Sequence, residues 1–238
     1  MEQKQELTYK HELHVDIEST GDHCEDHKIL AIAGAVLEVP LILPTEIVPP
    51  KFVDEYRVCL HVEEKDFEEQ CDARFWKRDD KMRQLRARLI KEGVPRVEGL
   101  RNFHNWLTAM RVKYPNLTLV SDNKSFDLNR ISFEFTKYLN EYPCTYRKNE
   151  KTGEYTLESD LDTSDFLNGV ALGMNYTKLN EKFSAGRKRM IADMERELNV
   201  TYQFEHDHDP LNDAKHDAET FWYLRLWLNN KRIKNLVA

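Results

Sequence analysis

His14-Val15-Asp16-Ile17-Glu18-Ser19-Thr20-Gly21 is followed, seven residues later, by Ile29-Leu30-Ala31-Ile32-Ala33-Gly34-Ala35-Val36. The first stretch continues an alternation that begins near Tyr9 and places Leu13, Val15 and Ile17 on one face of a strand. Side chains two apart on a strand share a face, so Asp16 and Glu18 point the same way. Adjacent carboxylates repel, and a cation between them removes that cost. A solvent-facing acidic edge of a sheet is the other arrangement such a pair adopts. Ser19-Thr20-Gly21 reads as a turn, and the apolar run after it as a buried strand.

Working outward, the chain has 238 residues, enough for one large domain or two small ones. It is 40% hydrophobic and 32% charged, with eight Gly and eight Pro, so it buries a core and is not low-complexity. No apolar run approaches the roughly 18 residues of a membrane span. Met1–Glu6 has no apolar signal core, so a cytoplasmic protein without a membrane anchor is expected. Cys24, Cys59, Cys71 and Cys144 lie far apart, which disfavours both a zinc ribbon and a disulfide scaffold. A third strand is expected over Tyr56–Val62. Helices are expected over Asp66–Lys91 with a break near Asp79, and over Val97–Tyr114. A short strand follows at Leu117–Ser121, then a helix at Phe126–Leu139. The polar segment Tyr142–Tyr155, with Lys151-Thr152-Gly153, reads as a loop or hairpin. Helices over Ser164–Leu172, Leu179–Leu198 and Leu211–Asn229 complete an α/β chain with one sheet.

Two further acidic features stand out. In Val120-Ser121-Asp122-Asn123-Lys124-Ser125-Phe126-Asp127 a strand ends, a polar turn follows, and Asp127 opens a helix. Helix N-termini favour carboxylates, so capping is the plain reading and a functional carboxylate the other. Glu205-His206-Asp207-His208-Asp209-Pro210-Leu211-Asn212-Asp213-Ala214-Lys215-His216-Asp217-Ala218 runs from a loop into a helix that Pro210 suits. Asp213 and Asp217 share a helical face. A loop His beside a metal-bound carboxylate can serve as a general base. A polar helix cap is one alternative here. A zinc site on His206-x-His208 is another, short of a third ligand at a sensible spacing.

Together the three features resemble the DEDDh branch of the DEDD 3′–5′ exonucleases. Its members include ribonuclease T, oligoribonuclease, the proofreading subunit of DNA polymerase III, and exonucleases of phages and large DNA viruses. The first family motif, D-x-E-(T/S)-T-G followed by I-x-x-I-(A/G), is similar to Asp16–Gly21 with Ile29–Ala33. The second, N-x-x-(F/Y)-D, is similar to Asn123–Asp127. The third, H-x4-D-A, is similar to His208–Ala214. The motifs keep the family's order and span residues 14 to about 228. Two positions depart from the pattern: Asp122 stands where a His is usual, and Ala31 where an acidic residue is usual.

The resemblance implies an α/β, ribonuclease H-like exonuclease fold, with a central mixed sheet and helices on both faces. It implies a single domain over residues 1–238, with its core over about residues 8–230. Asp16, Glu18, Asp127 and Asp213 would hold two divalent cations, Mg²⁺ or Mn²⁺, and His208 would take a proton from the attacking water. The implied reaction releases nucleoside 5′-monophosphates from single-stranded DNA or RNA 3′ ends, and homodimers are common among such proteins. A catalytically inactive nucleic-acid-binding or partner-binding module of the same fold is the alternative.

The net charge of −7 disfavours a protein that merely coats nucleic acid. The strongest local positive field begins at Arg74-Phe75-Trp76-Lys77-Arg78 and continues to Lys91. Aromatics between cations suit single-strand binding, so Arg74, Trp76, Lys77 and Arg78 are candidate contacts, with a solvated helix face as the alternative. Asn123 and Phe126 are candidates beside the terminal nucleotide, Phe126 alternatively being core.

Overall fold

Strand β1 (Tyr9–Ser19) carries the opening stretch and pairs antiparallel with β2 (Ile29–Pro40). The structure, a computed structural model, describes residues 8–22, 26–148, 152, 154–157, 160–174, 176–177 and 182–237. Expectations that touch Met1–Glu6, Cys24, Lys151, Gly153 and Leu179 lie outside them. The turn glycine of the first motif sits in a close approach. A Cβ on Gly21 would meet the His27 ring at 2.6 Å and Glu68 Cβ at 2.9 Å.

The third strand, β3 (Lys51–Cys59), starts five residues before its expected position and stops three before its expected end. Pro49-Pro50 closes the preceding loop, and Lys51 at once pairs with Glu38. A shift between Val36 and Leu37 absorbs one extra residue. Leu60, just past the strand, also bridges to Val94.

The segment after β3 breaks where expected. It comprises a single helical turn α1 (Glu69–Cys71), a π-helical turn Asp72–Trp76, and then α2 (Asp80–Lys91). Asp79 caps α2 by accepting from the Met82 amide. Next come α3 (Arg96–Lys113), β4 (Leu117–Ser121) and α4 (Asp127–Glu134), which runs on as a π-helical turn to Leu139. A hairpin of β5 (Tyr146–Lys148) and β6 (Tyr155–Leu157) fills the polar segment, and β7 (Asp160–Asp162) follows. Helices α5 (Thr163–Gly173), α6 (Phe183–Leu198) and α7 (Pro210–Val237) end the chain.

The main sheet has the order β3-β2-β1-β4-β7. Its first three strands are antiparallel, while β4 and β7 join parallel to β1 and β4. Leu13, Val15 and Ile17 of β1 pack against Leu100, Phe103 and Leu107 of α3 and Leu128 and Ile131 of α4. On the other face, Leu37 and Val39 of β2 pack under α5, α6 and α7, with Trp222 and Trp227 at the centre. Burying each such side chain contributes ~1.5–3 kcal/mol.

The β1–β2 ladder shifts between Glu18 and Ser19, skipping Leu30. Leu30 O then accepts from the Leu60 amide at 2.8 Å. The Ile29 amide donates to Glu134 Oε1 at 3.0 Å, and the Ile29 carbonyl accepts from Arg96 at 2.8 Å. Arg96 and Glu134 are themselves ion-paired. The bulge thus interrupts regular pairing beside Glu18, and two side chains from α3 and α4 complete its hydrogen bonding.

Candidate active site

Strand alternation puts Glu12, His14, Asp16 and Glu18 on the β1 face opposite Leu13, Val15 and Ile17. That face meets α7, which runs alongside β1 in the opposite direction. Arg225 bonds Glu12, the Phe221 ring centroid lies 6.3 Å from that of His14, and Asp213 faces Asp16 and Glu18. A carboxylate oxygen from each of Asp16, Glu18 and Asp213 lies within 4.8 Å of the others. Asp127 opens α4 nearby, and its Oδ2 accepts from the Ser121 hydroxyl. Its carboxylate is not part of the 4.8 Å group.

Electrostatics mark this cluster. Burial, followed by the charges of Asp127, Glu18, Asp213 and Asp217, pushes the Asp16 carboxyl well above its ordinary range. Burial and the charges of Asp213 and Asp127 do the same to Glu18, with Arg78 opposing. Burial pushes Asp127 up to about 7 against the hydrogen bond from Ser121. Asp217, one helical turn beyond Asp213, is also raised, mainly by burial. Asp16 Oδ2 is buried without a hydrogen-bond partner among the described residues. A mutually repelling set of carboxylates with one buried oxygen, Asp16 Oδ2, left unsatisfied fits a hard divalent cation.

The loop before α7 folds back on Asp213. Its Oδ1 accepts from the amides of Asp207 at 2.9 Å and His208 at 3.2 Å. His208 adopts φ 66°, a left-handed conformation that costs a non-glycine residue energy and recurs at functional sites. Its Nδ1 lies 3.8 Å from Glu18 Oε1 and 3.9 Å from Asp213 Oδ2. Burial lowers the pKa of His208. The edge of Phe75 meets its ring with centroids 4.8 Å apart.

Asp209 anchors the loop from the other side. Its Oδ1 accepts from the Leu211 amide, capping α7. Its Oδ2 accepts from Arg57 of β3 at 2.7 Å and Arg88 of α2 at 2.6 Å. The sequence offers only the cap signal, an Asp before Pro210. The two arginines lie 152 and 121 residues away from it. Phe75 and the Glu12–Arg225 pair likewise carry no local signal of their role.

The expected nucleic-acid contacts divide. A cleft of about 410 Å³ beside Glu18 is lined by Arg74, Phe75, Phe126, Asp22 and Glu68. Arg78 is exposed and ion-paired with Asp79 at 3.1 Å, with its guanidinium 5.4 Å from the Phe75 ring centroid. Lys77 is ion-paired with Asp72. Asn123 shapes the β4–α4 turn: its carbonyl accepts from the Phe126 and Asp127 amides, and its Oδ1 accepts from Ser125. Trp76 corrects the expectation outright. It is 0% exposed, packs in the core beside Phe67 and Phe75, and donates from Nε1 to the Ser19 carbonyl at 3.0 Å. An aromatic that braces the first motif from below cannot stack on a base. Much of the basic stretch is also neutralised internally. Arg86 pairs with Asp72 and Glu64, Arg83 with Asp80, and Arg88 with Asp209. Asp122, at the position where a His is usual, accepts from the Ser164 hydroxyl.

The strand order and the helices on both faces make an α/β, ribonuclease H-like fold. Three solved structures share it: cell-death related nuclease 4, a product-bound exonuclease I, and the exonuclease I of Methylocaldum szegediense. Their TM-scores are 0.58, 0.54 and 0.53, at 14%, 11% and 13% identity. Each match covers 92% of this chain. The chain spans 64% of the first neighbour and 45% and 42% of the two exonucleases I. No protein-family model and no curated protein sequence matches it.

Proposed function

We propose that the chain is a metal-dependent 3′–5′ exonuclease that hydrolyses single-stranded DNA or RNA from the 3′ end, releasing nucleoside 5′-monophosphates. The carrying observation is the buried, mutually repelling cluster of Asp16, Glu18 and Asp213, with Asp16 Oδ2 unsatisfied and Asp127 close by. Asp16, Glu18, Asp127 and Asp213 would hold two divalent ions, Mg²⁺ or Mn²⁺, as hard oxygen ligands do. Bound there, such ions supply charge stabilisation for the attacking and leaving oxygens.

The chain's own residues supply the rest. His208 Nδ1 is too far from either carboxylate for a direct hydrogen bond, so it stays available to take the proton of the attacking water. Its lowered pKa keeps the ring neutral and competent near neutral pH. Phe75 restrains the ring on one side, and the Asp209 anchor restrains its loop on the other. Phe126 and Phe75 would receive the terminal base in the cleft, and the adjoining phosphates would meet Arg74 and, against Phe75 outside the cleft lining, Arg78.

The test is a nuclease assay on 5′-labelled DNA and RNA of one sequence, with free and blocked 3′ ends, in Mg²⁺, Mn²⁺ or EDTA. The expected result is a metal-dependent one-nucleotide ladder that a 3′ block stops. His208→Ala should slow it by roughly 10²–10⁴, while the thermal shift on adding metal persists. Binding without cleavage by the wild type would replace this reading with the inactive module.

A further inference from the structure

His206-x-His208 lacks a third metal ligand in the sequence, and the fold supplies one. His206 Nδ1 lies 3.1 Å from Asp213 Oδ2, and His208 Nδ1 lies 3.9 Å from the same oxygen. One nitrogen from each ring and this carboxylate oxygen lie within 4.8 Å of one another. Because Asp213 Oδ1 is held by the Asp207 and His208 amides, Oδ2 is the oxygen turned toward the rings. In a tetrahedral site with bonds of about 2.0–2.1 Å, ligand atoms sit about 3.4 Å apart. The two separations from Asp213 Oδ2 bracket that spacing, and the ring nitrogens lie within 4.8 Å of each other, so side-chain rotations would bring the three donors onto one ion.

The donor chemistry separates this group from its neighbour. Asp16, Glu18 and Asp213 offer only carboxylate oxygens, which suit Mg²⁺ and Mn²⁺. His206, His208 and Asp213 offer two imidazoles and one oxygen, a set that zinc prefers and magnesium does not. Asp213 is the shared corner. The His206 side chain is 55% exposed, so an ion can enter from solvent and keep a fourth position open to it. His206 has no part in the proposed hydrolysis.

We propose that His206, His208 and Asp213 form a second, inhibitory metal site selective for Zn²⁺. Occupied, it takes the lone pair of His208 and an oxygen of Asp213, so the proton acceptor and one ligand of the hydrolytic site are lost together. The inhibition rests on the exonuclease reading above. The binding does not.

The experiment titrates zinc by calorimetry into zinc-free protein with Mg²⁺ in large excess, comparing wild type with His206→Ala and His206→Gln. One zinc per chain should bind the wild type. Losing an outer-sphere partner of a metal site already costs about 10–100-fold in affinity, so losing a ligand should weaken zinc at least tenfold in both variants. In Mg²⁺-supported cleavage, each variant measured against its own rate should need correspondingly more zinc for half-inhibition. Zinc affinity unchanged in both variants, or no zinc retained against Mg²⁺, overturns the site. His206-dependent zinc binding by a chain that cleaves nothing would keep the site and remove the exonuclease reading. Cleavage without His206-dependent zinc would do the reverse.

Discussion

The two ends of β1 hold the same kinds of residue on the same face and treat them in opposite ways. Glu12 and Glu18 are six residues apart, ~20 Å along a strand, and Asp213 and Arg225 are twelve apart, ~18 Å along a helix. The antiparallel β1–α7 contact therefore sets a partner from α7 against each end. At one end Arg225 donates to both Glu12 oxygens, at 2.6 and 2.7 Å. Burial alone would raise the Glu12 carboxyl, but the His14 ring and Arg225 outweigh it and hold it well below its ordinary range. At the other end α7 brings Asp213 and Asp217, so Asp16 and Glu18 gain charge of their own sign. One end is a closed structural pair. The other gathers like charges that, among the described residues, only Arg78 and His206 offset in part, which is the condition for binding a cation.

The sharpest way to break this contrast is to neutralise one acid at the open end. Asp16→Asn should abolish cleavage by ~10³-fold or more, since each ion supplies several kcal/mol at the transition state. The same variant should melt no lower than wild type in EDTA, because a repulsion has been removed. A large loss of metal-free stability would mean that this end is structural too.

At the closed end the expectation inverts. Arg225→Met leaves the buried Glu12 with only Lys10 and the His14 ring beside it, a loss of up to about 3–5 kcal/mol, or ~6–20 °C in melting temperature. Adding Glu12→Gln should recover much of that loss. Activity per folded molecule should change little at low temperature.

Acidity should move the two ends in opposite directions. Asp127 keeps its proton to about pH 7 in the folded chain and loses it near pH 4 when unfolded. The metal-free native state then binds more protons over that window, so this group costs stability as pH rises through it. The rise in melting temperature on adding Mg²⁺ should therefore grow from pH 5 to pH 8. Glu12 is depressed, so its stabilisation is present above about pH 4.3 and is lost as pH falls below that. Thermal melts across pH, with and without metal, separate the two contributions.

The smallest effect concerns the loop that precedes α7 at the open end. Asp209→Ala frees the His208 loop from Arg57 and Arg88 and should lower kcat by about tenfold with little change in KM, less than the roughly 10²-fold of a 1 Å misplacement. Asp209→Asn keeps a capping side chain but weakens the ion pairs, so it should restore stability more than rate. Equal effects on kcat and KM would argue against a positioning role.

Legibility in the sequence followed the range of the interactions. Strand alternation and the turn after Glu18 are local, and they placed Asp16 and Glu18 on one face. The helix break at Asp79 was visible because the cap is three residues from its partner. The start of β3 was misplaced because its register is set by Glu38 and by a shift at Val36, neither of which local composition reveals. Trp76 misled because an aromatic among cations looks the same whether it faces solvent or the core. Distant partners, the Ser19 carbonyl 57 residues away and core residues such as Leu30 and Cys59, decide that it faces inward. Arg225, 213 residues from Glu12, was beyond any local reading.

The bulge at Leu30 has a consequence for protein engineering. Asp16–Gly21 looks like a portable cassette, a strand end and a turn that could be moved into another sheet. Yet the irregular pairing beside Glu18 leaves the Ile29 amide and carbonyl dependent on Glu134 and Arg96, which arrive from two different helices. A graft without them would strand two buried backbone groups at ~1–3 kcal/mol each. The smallest transplantable unit is therefore the β1–β2 pair together with α3 and α4, and a shorter insert should straighten the ladder and turn Glu18 away from Asp16.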